Sequence, residues 1–276
     1  MKDTVKRAGI TAIKVLLYMA LSLALGVAFI PVVESPVLWR FTAELFPFIA
    51  ASVMTLAFWI VVEKRALAIN IFNSFGRDTL AGLAVGAVWV GAVVILMYAS
   101  GALRFAKAQS VPWLAVWIIA VFLNAAMQEL LIRGYAFSLI ARRHSNLAAV
   151  IVTTVIFTAL HAGAFESGVP AVINIVAAGS LFALMTLRFG SLWSAIVAHF
   201  IWNGATGILL GANVLPEDYP HVVDIVMSGN DLLTGGLAPI EGSVITAAVS
   251  VALAVIVWRF AGRSKIARVD VNEDQL

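Results

Sequence analysis

Four ionisable side chains lie deep inside the apolar runs of this chain: Glu129, Arg133, His161 and His199. They occur in three short stretches, QELLIR (128–133), FTALH (157–161) and HFIWN (199–203). Glu129 and Arg133 are i and i+4, so on a helix they share a face and can form an ion pair. His199 and Asn203 have the same spacing, as do Phe157 and His161, and Asn124 and Gln128 form a further pair on a neighbouring stripe. Hydrolysis of a peptide bond needs an activated water, a stabilised oxyanion and a protonated leaving amine. Glu129 beside Arg133 can stay ionised and act as general base. Asn203 suits the oxyanion, because its amide NH₂ donates without carrying charge. Glu129, His161 and His199 can also be read as a His₂Glu set for a divalent metal such as zinc. Without a metal, one imidazole would act as acid and the other as oxyanion donor. The residues leave both mechanisms open.

Each group also has a plain structural alternative. Glu129–Arg133 can be a clamp, and either histidine can be satisfied by a backbone carbonyl. Asn203, Asn124 and Asn174 can hydrogen-bond helix to helix. His144 and His221 fall in connections and receive no role.

The elements that must position these residues are membrane spans. Of the 276 residues, 62% are hydrophobic and 12% charged, half the charged share of an ordinary soluble domain, about 25%. A spanning helix needs roughly 20 apolar residues. Eight such runs lie near 10–33, 41–62, 79–99, 111–141, 147–165, 170–188, 191–212 and 241–261. The expected fold is therefore all-α: a polytopic bundle of about eight transmembrane helices forming one membrane-embedded domain, residues 1–276. The basic N-terminus reads as a retained first span and not a cleaved signal. The fourth run exceeds a simple span, so it is tilted, broken or longer than the bilayer.

Basic residues mark one side of the bundle: the N-terminus, Lys64, Arg65, Arg77, Arg142, Arg143, Arg188, and Arg259, Arg263, Lys265 and Arg268 of the tail. Glu34, Glu166, Glu217, Asp218, Asp224 and Asp231 mark the other, with Arg104 and Lys107 as exceptions. By the positive-inside rule both termini are cytoplasmic. The connection 213–240 then faces outward, as a lid, a partly re-entrant segment or an ordinary loop. At about 1.5 Å per residue, Glu129, His161, His199 and Asn203 lie about 20, 22, 12 and 18 Å from the basic boundary. Polar groups from three helices thus reach comparable depth, and buried polar groups of this kind usually face the bundle interior and mark a function. The basic balance orients the chain in the lipid bilayer and does not indicate nucleic acid. The absence of cysteine excludes disulfides and thiolate chemistry.

Taken in order, QELLIR, FTALH and HFIWN resemble the CPBP family (CAAX prenyl endopeptidases and bacteriocin-processing enzymes, also called Abi). Its pattern runs Glu-Glu-x-x-x-Arg, Phe-x-x-x-His, His-x-x-x-Asn over successive membrane helices. The resemblance spans about residues 110 to 212. It implies an intramembrane endopeptidase of a prokaryotic plasma membrane, acting on a peptide or membrane-protein substrate. Gln128, Glu129, Arg133, His161, His199 and Asn203 would be its site residues, with Glu129 and the histidines activating the water. The family is commonly named as metalloproteases, although a metal-free mechanism also fits these groups. Gln128 departs from the pattern: it stands where the family has its first glutamate, held there to activate water, and an amide cannot take up that proton. This leaves a catalytically impaired scaffold or immunity protein, and an ion- or proton-coupled transporter, as alternatives. The chain has no His-Glu-x-x-His, no aspartate inside a span and no Gly-x-Ser-x-Gly, which counts against other intramembrane protease classes. Ser191 or Ser194 near His199 would be the seed of a serine–histidine pair.

Overall fold

A polypeptide in lipid must satisfy its backbone polar groups internally, so long apolar runs become helices. The computed structural model describes residues 2–212 and 219–261. Glu217, Asp218, Arg263, Lys265 and Arg268 and the tail VDVNEDQL lie outside them. The helices are α1 (Lys2–Ala28), α2 (Pro36–Ala57), α3 (Phe75–Ala99), α4 (Leu114–Glu129), α5 (Phe137–Arg143), α6 (Asn146–Leu160), a single turn α7 (Gly163–Glu166), α8 (Val169–Phe189), α9 (Trp193–Asn203), a second single turn α10 (Asp231–Thr234) and α11 (Val244–Ala261). The protein is an all-α polytopic membrane bundle, and each of the eight expected spans has its helix.

Five stretches are long and apolar enough to cross a membrane unaided: Thr4–Ala28, Pro36–Val62, Phe75–Ala99, Leu114–Arg143 and Val169–Phe189. In the last two, 56% and 61% of the most apolar segment is buried, against 28–33% in the other three. Leu114–Arg143 and Val169–Phe189 are therefore the central rods, and α1, α2 and α3 turn Leu16, Val53, Leu80 and Ile95 outward to lipid. The over-long fourth run is one continuous rod whose middle, Leu130–Ala136, widens to π-helix between α4 and α5. Two more π segments, Phe58–Val62 and Gly204–Leu209, extend α2 and α9. Such wide turns are rare and recur at functional sites. Here two of them begin directly after Glu129 and Asn203.

The fifth span is shorter than its hydrophobic run. It stops at Leu160, so His161 caps the helix end and is not an interior position. The connection after α9 was also only partly foreseen. Its strand Val223–Met227 (β2) pairs antiparallel with Leu103–Ala108 (β1), with Leu103 opposite Met227 and an irregularity between Phe105 and Ala108. This small sheet straps the end of the bundle away from the basic connections and holds Arg104 and Lys107, the two basic exceptions. At the opposite end, Lys14 pairs with Glu63 at 2.7 Å, Arg142 donates to the Ala66 carbonyl, and Asn73 and Arg77 donate to that of Phe189. The basic connections are thus gathered at one end.

Helix α9 carries His199 and Asn203, and its seat is set by glycines of α3. A Cβ at Gly82 would stand 2.6 Å from Val197 Cβ and 2.7 Å from the Ser194 carbonyl oxygen; one at Gly86 would stand 2.7 Å from Ile201 Cβ. Gly91, on the same helix, faces open space. Gly82→Ala and Gly86→Ala should each destabilise by about 1–3 kcal/mol through overpacking. Gly91→Ala should be neutral or stabilising by up to about 1 kcal/mol, from helix propensity. Thermal unfolding of the detergent-solubilised protein distinguishes the three.

Candidate active site

The carboxylate of Glu129 is completely covered, and both of its oxygens are in use. Arg133 Nη1 donates to Oε1 and to Oε2, at 2.9 Å each, across the i,i+4 step. The second nitrogen of the fork, Nη2, donates to the Gly179 carbonyl of α8 at 2.9 Å. The guanidinium carbon lies 4.8 Å from the ring centroid of Phe157 and 5.5 Å from that of Phe182. A buried cation is therefore held by an anion, a carbonyl and two aromatic rings. Glycine at 179 permits this: a Cβ there would stand 3.1 Å from Phe157 Cδ1.

His199 completes the group. Its Nδ1 is 2.9 Å from Glu129 Oε1, and its ring stacks on Phe182 at 4.6 Å and 17°. Ionised, the carboxylate only accepts, so Nδ1 carries a proton and, in the neutral ring, Nε2 keeps its lone pair. His161 is fixed in the same sense by a weaker partner, since its Nδ1 donates to the Phe157 carbonyl at 2.7 Å. That carbonyl belongs to the last turn of α6, where the helix itself leaves acceptors free. Phe157 stands between the imidazoles, 4.3 Å from the His161 ring and 5.9 Å from the His199 ring.

Both histidines open onto one cavity of about 320 Å³, whose walls also include Gln128, Asn203, Asn174, Trp202 and Glu241. Of the six site residues expected from sequence, Gln128, His161, His199 and Asn203 reach this space. Glu129 and Arg133 do not line it. They are fully buried behind His199, and the oxygens of Glu129 face Arg133 and His199. The cause is helical phase. Residues one apart point about 100° apart, so with Glu129 turned toward Arg133, Gln128 takes the cavity.

The same geometry bears on a metal. Glu129 and His199 Nδ1 are committed to each other, and among the described residues no three His, Asp or Glu side chains are grouped to hold an ion. Glu129, His161 and His199 are not grouped for a three-ligand centre. The serine–histidine pair also fails on position. Ser191 Oγ donates to Asp78 at 2.6 Å, and Ser194 is fully buried against the Gly82 face of α3. Asn174 and Asn124 act as interhelical links: Asn174 accepts from Ser250 of α11 at 2.6 Å, and Asn124 donates to Glu44 of α2 at 2.9 Å.

Sequence reasoning missed Glu241, which accepts from Trp202 Nε1 at 3.2 Å and lies in the turn that enters α11. Its only signal was an acidic residue at the edge of the last apolar run. Glu44 was missed for the same reason, as one carboxylate in the first half of α2.

Removing one half of a buried ion pair strands the other charge, at a cost of about 3–5 kcal/mol, whereas replacing both with apolar groups is often near neutral. Arg133→Met should therefore lower stability by about that amount, and Glu129→Leu combined with Arg133→Met should restore most of it. Unfolding midpoints in detergent test this.

Residues 110–205 match the family model described as type II CAAX prenyl endopeptidase Rce1-like. No curated protein and no solved structure matches the chain. The matched segment covers roughly a third of the chain and holds the whole set from Asn124 to Asn203. Over this segment, in which the glutamate–arginine step, the two histidines and the closing asparagine keep their order, the chain is similar to type II CAAX prenyl endopeptidase Rce1-like proteins.

Proposed function

We propose that the protein is an intramembrane endopeptidase in which His199, backed by Glu129, is the general base. The observation that carries this reading is the 2.9 Å contact from His199 Nδ1 to a carboxylate that never meets the cavity, while the imidazole does. Such a pair fixes the tautomer and stabilises the imidazolium formed in the reaction. Water in the cavity gives a proton to His199 Nε2, and its oxygen bonds to the scissile carbonyl carbon. The carbonyl π electrons move onto oxygen. Asn203 Nδ2, held only at 3.5 Å by Asn124, keeps an N–H for that oxyanion. His161 Nε2 accepts the N–H of the scissile peptide and sets its orientation. Collapse breaks the C–N bond as His199 returns its proton to the leaving nitrogen. Glutamate at 128 is not required by this route, which is how a chain with Gln128 remains catalytic. The family's description supports a prenylated Cys-a-a-X tail as the substrate to try first.

The second reading is a non-catalytic scaffold, and Gln128 is the observation that favours it. A quenched fluorescent peptide ending in a farnesylated Cys-a-a-X tail, presented to the purified protein in proteoliposomes, separates the two. His199→Gln and His161→Gln should each lower kcat by about 10²–10⁴-fold, and Glu129→Gln should lower kcat with little change in KM. Turnover that is indifferent to both histidines would remove the peptidase.

The gathered basic connections support an orientation with both termini cytoplasmic. Because the chain has no cysteine, single cysteines report it directly. Lys107→Cys should react with an impermeant maleimide in intact cells, and Lys64→Cys only after permeabilisation.

A further inference from the structure

We propose that Glu44, acting through Asn124, fixes Gln128 as a one-way hydrogen-bond acceptor that holds the attacking water, which makes Glu44 a positioning residue of the site. The proposal rests on the peptidase reading above. Its starting point is a chain of side chains running from α2 through α4 toward α9. Glu44 is buried, with Arg40 Nη1 and the Tyr219 hydroxyl each at 3.5 Å from Oε1. Asn124 Nδ2 donates to Glu44 Oε2 at 2.9 Å, Gln128 Nε2 donates to Asn124 Oδ1 at 2.8 Å, and Asn203 Nδ2 approaches that same oxygen at 3.5 Å.

The direction of this chain follows from chemistry alone. A carboxylate accepts and cannot donate, so Asn124 must present its NH₂ to Glu44. Its carbonyl oxygen then faces Gln128, which must answer with its own NH₂. Only Oε1 of Gln128 remains. That oxygen is buried, has no partner among the described residues, and belongs to a residue of the cavity wall. An unmet buried acceptor costs about 1–3 kcal/mol, and a cavity of about 320 Å³ has room for water. The ligand the geometry calls for is a donor, and a water with one O–H on Gln128 Oε1 and the other on His199 Nε2 meets both acceptors. The water's first proton goes to His199; the second stays on oxygen, anchored to Gln128.

The same wiring explains why an amide suits position 128 in this chain. A carboxylate there would face Asn124 Oδ1, acceptor against acceptor. Turning Asn124 over would only move the conflict to Glu44. Gln128→Glu must therefore keep its new carboxyl protonated at neutral pH as long as Glu44 is in place.

The test is infrared titration of the full chain in nanodiscs. Gln128→Glu should show a carboxylic-acid C=O stretch at neutral pH that is absent from the unsubstituted protein. Adding Glu44→Gln, which lets Asn124 turn over, should move the midpoint of that band down by at least one pH unit, a tenfold change in the ionisation constant. Asn124→Ala with Gln128→Glu removes the opposing oxygen by a second route and should do the same, should loss of the Arg40 partner impair folding of the first pair. Equal midpoints in all backgrounds, or an ionised carboxyl at neutral pH in Gln128→Glu alone, would overturn the proposal. On the farnesylated peptide, Glu44→Gln by itself should lower kcat about tenfold or more with KM nearly unchanged; unaltered kcat would also overturn it. A protein with no histidine-dependent turnover would instead overturn the peptidase reading and the water's role, while the infrared result would still report the direction of the amide chain.

Discussion

The ion pair between Glu129 and Arg133 is the constraint on which the rest of the structure depends. An isolated charge in the middle of a membrane helix costs about 2.5–3.5 kcal/mol on insertion scales, and two of them one helical turn apart need every available partner. The fork of Arg133 meets that need by joining the carboxylate to the Gly179 carbonyl, so α4 and α8 are tied at a single guanidinium. Phe157 and Phe182 close over the cation from α6 and α8. His199, from α9, takes the remaining direction of the carboxylate. Four helices thus meet around a charge that none of them could carry alone, and the cavity is the space left beside this knot.

This arrangement separates two jobs that the motif places on neighbouring residues. One position of the Gln-Glu dipeptide faces the knot and the other faces the cavity. The knot-facing residue is charged because it must balance Arg133 and hold an imidazole. The cavity-facing residue is an amide because Glu44 and Asn124 leave it only that polarity. The apparent defect at position 128 and the buried acid on α2 are then two ends of one hydrogen-bonded chain.

Much of this was legible in the sequence. Apolar run lengths located the eight rods, and the i,i+4 spacing of Glu129 and Arg133 predicted their pairing, because both signals are local. The order of the three motifs pointed to the family whose model matches residues 110–205. What failed was non-local or depended on phase. The contact between His199 and Glu129 joins helices seventy positions apart, and no spacing rule reaches that far. That the oxygens of Glu129 meet Arg133 and His199, while Gln128 takes the cavity wall, depends on helical phase. The α6 run continued past Leu160 in hydropathy, yet the helix ends there and His161 bonds back to Phe157. The strand pair Leu103–Ala108 and Val223–Met227 was hidden because each half is a short, mixed stretch that gains its partner only through the fold.

The central claim is that the carboxylate of Glu129 holds His199 by Nδ1 and leaves Nε2 bare toward the cavity. Nitrogen-15 NMR of histidine-labelled protein in nanodiscs, with the His199 signals assigned by their loss in His199→Gln, reads this directly. The account predicts a protonated Nδ1 and an unprotonated Nε2 in the neutral ring, with that tautomer lost in Glu129→Gln. A neutral His199 with its proton on Nε2, unchanged by Glu129→Gln, would contradict it.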